Sequence, residues 1–365
     1  MNYERMKKLF FQLLETESPF GYEKAAANIV CSFLDQQGIA WKDDGSEAKT
    51  GSNVGNIIIA GLGNARISFN AHMDTIRIFN RKKALCEGNI VKAEGGGVLG
   101  IDDMSGMAVT LELAASLHEN GGIPDDTHFL FTVSEERGFR GAWALDSRHF
   151  INAFTFVIDS GGLPLARVVR RGIGEITFIV TVHGTMGHAS TQGAKNAALL
   201  TAKLIPLLKP GKAKSDSFIN ISSINCPGNP NTIPDLSVFD GQIMFFDTEE
   251  GKTIVAEMKK TVEQFAKDEN CIVDFATVFD CEPWYVADDD PIITYAREAA
   301  AKASLPFELN ETRSGSDAQV IHQRGGKVVK ISTGMMKPHS LDEYIDLEDL
   351  NRCADYLWNL ATGNF

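Results

Sequence analysis

From Tyr3 to Leu14 and again from Glu23 to Gln37, apolar residues return every three or four positions between charged and amide side chains. That spacing lines one stripe of an α-helix, so two amphipathic helices are predicted, separated by a turn at Ser18, Pro19, Phe20 and Gly21. Ile57 to Ala60 and Ile67 to Asn70 read as short strands, and the small and apolar periodicity of Met104 to Leu117 predicts a helix. Phe129 to Val133 and Phe154 to Ile158 are continuous apolar runs of the length of strands buried on both faces. Strands alternating with helices predict an α/β domain with a largely covered sheet.

The pattern changes after Ala166. Val168-Val169-Arg170-Arg171-Gly172 leads into alternating Ile176, Phe178, Val180 and Val182, the period of a half-buried strand, and then a helix from about Ala194 to Leu208. Strands near Val238 to Phe246 and Ile272 to Val278 bracket a helix from about Gly251 to Asp268. Helical pattern resumes near Pro291, followed by a strand at Lys327 to Ile331 and a helix at Leu347 to Leu360. The middle segment therefore reads as a separate α+β unit, residues 171–285, inserted into one larger domain of residues 1–170 and 286–365.

Composition narrows the function. With 365 residues, 44% of them hydrophobic, the chain can bury a large core and fill two domains. A formal charge of -13 argues against a nonspecific grip on nucleic acid or anionic membrane. The six cysteines form no CxxC pair, which suits reduced thiols and neither a zinc ribbon nor a disulfide framework. Charged residues interrupt the N-terminal apolar pattern, unlike a secretory signal, and no apolar run approaches the roughly 20 residues of a membrane span. A soluble cytoplasmic protein is expected.

Five segments carry candidate chemistry. In Phe69-Asn70-Ala71-His72-Met73-Asp74-Thr75 an apolar stretch ends in two polar residues that share a strand face, so His72 can present an imidazole with Asp74 beside it. Leu99-Gly100-Ile101-Asp102-Asp103-Met104-Ser105-Gly106 places two carboxylates at a helix start after Gly95-Gly96-Gly97. Capping alone would explain acids there, since helix N-termini favour negative charge by roughly 0.3 to 1 kcal/mol. Val133-Ser134-Glu135-Glu136-Arg137-Gly138 sets two carboxylates side by side, either in a solvated turn or neutralised on a metal. Phe156-Val157-Ile158-Asp159-Ser160 again ends an apolar strand in an acid, and Lys337-Pro338-His339-Ser340-Leu341-Asp342-Glu343-Tyr344 follows late in the chain. Each segment alone is more often structural. Four of them follow strand-like runs, and open α/β sheets gather their sites at the carboxyl ends of strands. Two histidines with several carboxylates and no paired thiols form a donor set suited to Zn²⁺, or to Mn²⁺ or Co²⁺.

In these five ordered segments, over nearly the whole chain, the sequence resembles the co-catalytic zinc metallopeptidases that include peptidase T, aminoacylase and glutamate carboxypeptidase. The resemblance implies a catalytic domain with an inserted lid and two Zn²⁺ per subunit. It makes Asp102 the carboxylate that bridges both ions, His72 and Asp159 ligands of one, and Glu136 and His339 ligands of the other. Glu135 becomes the general base and Asp74 the partner of His72, and the Asp102–Asp103 peptide bond is expected to be cis. Val182-His183-Gly184-Thr185-Met186-Gly187-His188-Ala189-Ser190 resembles the lid segment whose histidine, here His188, reaches a neighbouring subunit's site and stabilises the oxyanion. A homodimer through the lid follows from that resemblance. Asn231-Thr232-Ile233-Pro234-Asp235 resembles the lid turn whose asparagine touches substrate.

One position departs from the family pattern. Where many relatives place an arginine for the substrate carboxylate, this chain reads Ile243-Met244-Phe245-Phe246-Asp247. Met244 cannot bind a carboxylate. Arg313, within Thr312-Arg313-Ser314-Gly315-Ser316-Asp317, is the substitute candidate, and a surface ion pair worth about 0 to 1 kcal/mol is its alternative role. Ser314-Gly315-Ser316-Asp317-Ala318 and the segment through Tyr344 resemble the peptidase T branch, which implies an aminopeptidase-like hydrolase of di- or tripeptides. An N-acyl-amino-acid deacylase or a carboxypeptidase would use the same metals on another substrate. A non-catalytic metal-bound binding protein is the reading from a different class, and it has no use for a free carboxylate at Glu135.

Overall fold

Four short runs, Thr127–Thr132, Ile67–His72, Phe154–Val157 and Lys327–Ile331, lie side by side and parallel in that order. The computed structural model that shows them describes residues 1–76 and 83–363. The chain divides into two units, one of Met1–Arg171, Tyr285–Thr312 and Ser316–Phe365, the other of Gly172–Trp284 and Arg313–Gly315.

The parallel strands are the centre of the larger unit. Antiparallel strands flank them, Ile57–Ile59 beside Thr127–Thr132 and Arg167–Gly172 beside Lys327–Ile331, so the sheet is mixed. Every residue of Ile67–His72 and Thr127–Thr132 is buried, which explains why neither shows an outward polar alternation. Phe69 pairs in register with both Phe129 and Phe156, and the three rings stack with centroids 5.6 and 5.9 Å apart. Because side chains alternate faces, a slip of one residue would turn a ring out of the stack, so this contact fixes the register of three strands. Their carboxyl ends are thereby aligned, with His72, Glu135 and Asp159 at or just beyond them.

The helix Ile101–Glu119 packs on Ile67–His72 and against the helices Tyr3–Leu14 and Leu347–Thr362. It is buried almost throughout, hence its weak amphipathic pattern. It starts three residues before the predicted Met104, and its first turn is irregular: Asp102 and Asp103 have non-helical dihedrals and the bond between them is cis. Gly100 precedes it at φ 80°, a left-handed conformation that glycine adopts without steric cost. Gly106 is where this turn meets the sheet. A Cβ there would lie 2.1 Å from the Ile158 carbonyl oxygen and 2.4 Å from Asp103 Oδ1.

The second unit is an antiparallel sheet with strand order Gly211–Lys212, Phe218–Asn225, Leu236–Phe245, Gly174–His183 and Ile272–Cys281. Ile176, Phe178, Val180 and Val182 share its inner face with Phe239, Ile243 and Phe245, and pack against Leu200 and Leu204 of Ala197–Leu207 and Met258 and Phe265 of Thr248–Asp268. The strand Phe218–Asn225 escapes the pattern reading, because its serines and asparagines have low strand propensity and most of it is exposed. Pairing with Leu236–Phe245 supplies what local propensity does not.

The close approach at Gly106 yields a direct test. Gly106→Ala should lower the unfolding free energy by about 1 to 3 kcal/mol through overpacking. Denaturant unfolding of both proteins measures it, and an unchanged midpoint would refute the approach of these two backbones.

Candidate active site

His72 ends its strand with a buried ring. Its Nε2 lies 3.3 Å from Asp102 Oδ1 and 3.9 Å from Asp159 Oδ1, while Nδ1 lies 2.9 Å from the Asp74 backbone carbonyl. A carbonyl only accepts, so Nδ1 carries a hydrogen and Nε2 is the atom turned to the carboxylates. The Asp74 carboxylate is 3.5 Å from Nδ1, and its hydrogen bonds run elsewhere: its oxygens accept the backbone N–H groups of Glu135 at 2.9 Å and Glu136 at 3.0 Å. Asp74 thus sits beside the ring, as the sequence suggested, with its carbonyl at hydrogen-bond distance from Nδ1 and its carboxylate slightly farther away. Its carboxylate holds the glutamate pair.

The two neighbouring aspartates make different contacts. Asp103 is fully buried and does the capping, accepting from the N–H of Gly106 at 3.1 Å and of His72 at 3.2 Å. Asp102 is left free of that duty, and its two oxygens lie 3.3 Å from His72 Nε2 and 3.3 Å from His339 Nε2. Glu343 holds the loop before it, accepting from the N–H of Leu99 at 2.7 Å and of Gly100 at 3.1 Å. Glu136 Oε1 is 2.8 Å from His339 Nε2. Behind Asp159, the buried Lys330 places Nζ 3.4 Å from Oδ2.

Charge explains the electrostatics. Burial pushes Glu135 well above the usual carboxylate range, reinforced by Asp159 and Glu136 against the pull of His72. Burial likewise raises Asp159 to about 7 and Glu136 upward, with Lys330 and His339 respectively opposing it. Asp102 goes the other way, because hydrogen bonds from His339 and His72 outweigh its desolvation. Burial alone would depress both imidazoliums, but the surrounding carboxylates reverse this, and His339 rises to about 10. These are the signs of a buried acidic cluster short of positive charge.

Among the described residues, three groups place one donor atom each within 4.8 Å of one another: His72, Asp102 and Asp159; Asp102, Glu136 and His339; and His72, Glu135 and Glu136. The first two share Asp102. Imidazole nitrogen and carboxylate oxygen in this number suit divalent cations such as Zn²⁺, so the residues present fit the metals implied by the donor set.

The remaining sequence candidates lie in the second unit. His188 and Thr232 pair in a short two-stranded ribbon, and Asn231 beside it accepts the N–H of Ala189 at 2.9 Å, so His188 and Asn231 are brought together and both are exposed. Arg313 lies over the rings of Phe218 and Phe246 and 3.3 Å from Asp216, an exposed pair. Met244 sits opposite Glu175 and Phe218 in the sheet. Asp103 and Glu343 lie inside two of the candidate segments but carried no role of their own in the sequence, and Glu23 and Lys330 lie outside all five. Glu23 is buried and accepts from the N–H and hydroxyl of Ser134, both at 3.0 Å. A lysine between Val329 and Ile331, in the buried part of a strand whose other lysine is exposed at its start, was the legible signal for Lys330.

Fold and cluster together define the class: a metallopeptidase-type hydrolase whose site caps a mixed α/β sheet. The chain belongs to peptidase family M20/M25/M40, whose profile matches residues 68–362. It is 26% identical over 360 residues to the uncharacterized protein YqjE of Bacillus subtilis, covering 97% of each chain. Aminopeptidase PepT from Bacillus cereus superposes with a TM-score of 0.80 at 26% identity, covering 99% of this chain and 98% of its own. A tripeptidase from Staphylococcus aureus gives a TM-score of 0.86 at 23% identity with the same coverage. The relationship is to the peptidase T-like branch. Among the described residues, no helix is long and apolar enough to cross a membrane.

Both glutamate N–H groups donate to the Asp74 carboxylate. Asp74→Asn can accept through one oxygen only, so one of the two glutamate N–H groups loses its acceptor. The variant should lose about 1 to 3 kcal/mol in denaturant unfolding, and wild-type stability would refute the role.

Proposed function

We propose that the protein is a two-metal aminopeptidase of di- and tripeptides with Glu135 as general base. The observation that carries this reading is the state of Glu135: 5% exposed, adjacent to Glu136, its carboxylate accepting no side-chain or backbone N–H among the described residues, while its own carbonyl takes the Phe139 N–H and Asp74 holds its backbone N–H. A carboxylate buried at that cost beside two donor clusters suits proton transfer.

Two divalent ions, Zn²⁺ on this reading, would be held by His72, Asp102 and Asp159 and by Asp102, Glu136 and His339, with Asp102 common to both groups. Such ions, when bound, polarise a carbonyl and make a coordinated water acidic near neutral pH. Glu135 would take a proton from an attacking water and return it to the leaving amine. The raised affinity of its carboxylate for protons suits that shuttle. His188 Nδ1 receives the Ser190 N–H at 3.3 Å and lies 2.8 Å from its hydroxyl, which leaves Nε2–H free to donate to a developing oxyanion. Asn231, next to the same ribbon, would contact substrate. Arg313 remains the candidate for a substrate carboxylate only if it leaves Asp216. Exposed Ile272, Val278 and Phe279 on the edge strand of the second unit support pairing with a second copy, which would bring His188 to a neighbour's site.

Chelator-stripped protein reloaded with Zn²⁺, Co²⁺ or Mn²⁺ should hydrolyse tripeptides with a free amino group faster than N-blocked peptides or acylated amino acids. Preference for acylated amino acids would replace the peptidase reading with deacylation. Glu135→Gln should cut turnover by about 10²- to 10⁴-fold with metal content unchanged, as measured by elemental analysis. His188→Ala should cut kcat by about 10²- to 10³-fold, also with both metals retained. Loss of metal in that variant would show that the lid histidine has been misassigned.

A further inference from the structure

Lys330 is a lysine with a 3% exposed side chain in the strand Lys327–Ile331, between Phe154–Val157 and Arg167–Gly172. Nothing in the reading of the reaction uses it. It pairs across the ladder with Val157, two residues before Asp159, and its Nζ reaches Asp159 Oδ2 while Oδ1 of the same carboxylate faces His72. A lysine is rarely buried without a counter-charge. Here the counter-charge is one of the residues assigned above to a metal.

Two physical roles can be separated. Lys330 could orient Asp159, so that removing it would loosen the metal. Alternatively its charge could stand in for a cation within an acidic cluster, offsetting repulsion among Asp159, Asp102 and Glu135 and opposing a divalent ion a few ångströms away. The charge role is favoured by magnitude. At 3.4 Å the contact is long for a charge-assisted hydrogen bond, whose ordinary range is about 2.7 to 2.9 Å, whereas a unit charge acts over several ångströms of low-dielectric interior.

We propose that Lys330 is a built-in counter-cation of the His72–Asp159 subsite, which stabilises the acidic cluster without metal and weakens the hold on the ion at that subsite. The two subsites are thereby made unequal. The Asp102–Glu136–His339 group has no such ammonium beside it among the described residues, so it is the tighter of the two. The inference rests on the assignment of His72 and Asp159 as metal ligands.

The test uses the full chain with two substitutions, Lys330→Met, which removes charge and hydrogen bond together, and Lys330→Gln, which keeps a donor and removes the charge. Zn²⁺ binding is titrated against a chelating dye, and thermal unfolding is followed with and without chelator. Both variants should tighten one of the two dissociation constants at least tenfold and change the other less. Both should also unfold several degrees lower than wild type in chelator, with the deficit closing when Zn²⁺ is present. If Lys330→Met loosens binding while Lys330→Gln matches wild type, the lysine is an orienting group and the proposal is overturned. Unchanged constants in both variants overturn it equally, leaving the metal assignment intact. A wild-type chain that binds no Zn²⁺ overturns the assignment and the inference together.

Discussion

The larger unit is organised around an excess of negative charge that the fold forces into its interior. Asp102, Glu135, Glu136 and Asp159 converge where three parallel strands end, and Asp74, Asp103 and Asp317 lie buried behind them. An isolated carboxylate costs several kcal/mol to desolvate, and it remains charged only if neighbours compensate. Each nearby feature answers that demand. Backbone N–H groups solvate Asp74 and Asp103, the hydroxyl of Thr132 and the amide of Asn70 solvate Asp317, and His72, His339 and Lys330 supply cationic partners. What they leave uncompensated is the capacity for divalent cations.

Carboxylates behind the cluster hold the backbone that carries it. Glu343 grips the loop before Asp102, Glu23 grips Ser134 before Glu135, and Asp74 grips both glutamates from the other side. Each carboxylate accepts two or more donors at once, so a loop that would otherwise fluctuate is held by several charge-assisted bonds. Loops that carry chemistry on α/β sheets need this restraint, because the strands end before the functional atoms begin.

Much of this was legible in sequence. Apolar runs located the central strands within one or two residues, and the acids and histidines that end them marked the cluster. The reason is physical: buried parallel strands have few ways to read, and acids at their ends stand out against apolar neighbours. Polar strands were less legible. Phe218–Asn225 shows no alternation because its partner strand supplies its order. The roles of the buried acids behind the cluster were not legible either, since Glu23 looks like a surface residue and Glu343 like one more acid of its segment until the long-range bonds that bury them are known. Nor could spacing divide the labour between Asp102 and Asp103. That follows from which of the two faces Gly106 and which faces the histidines.

The stacked rings of Phe129, Phe69 and Phe156 have a consequence beyond cohesion. Neighbouring strands lie about 4.8 Å apart, and residues just past aligned strand ends inherit that separation. The distance between one donor and the next is therefore a property of the sheet, set by aromatic packing several residues away. Sheets do not slide by fractions of a pleat. Variation in this core would thus leave the donor spacing unaltered or abolish it, and any gradual adaptation of the centre must come through the loops and side chains above it.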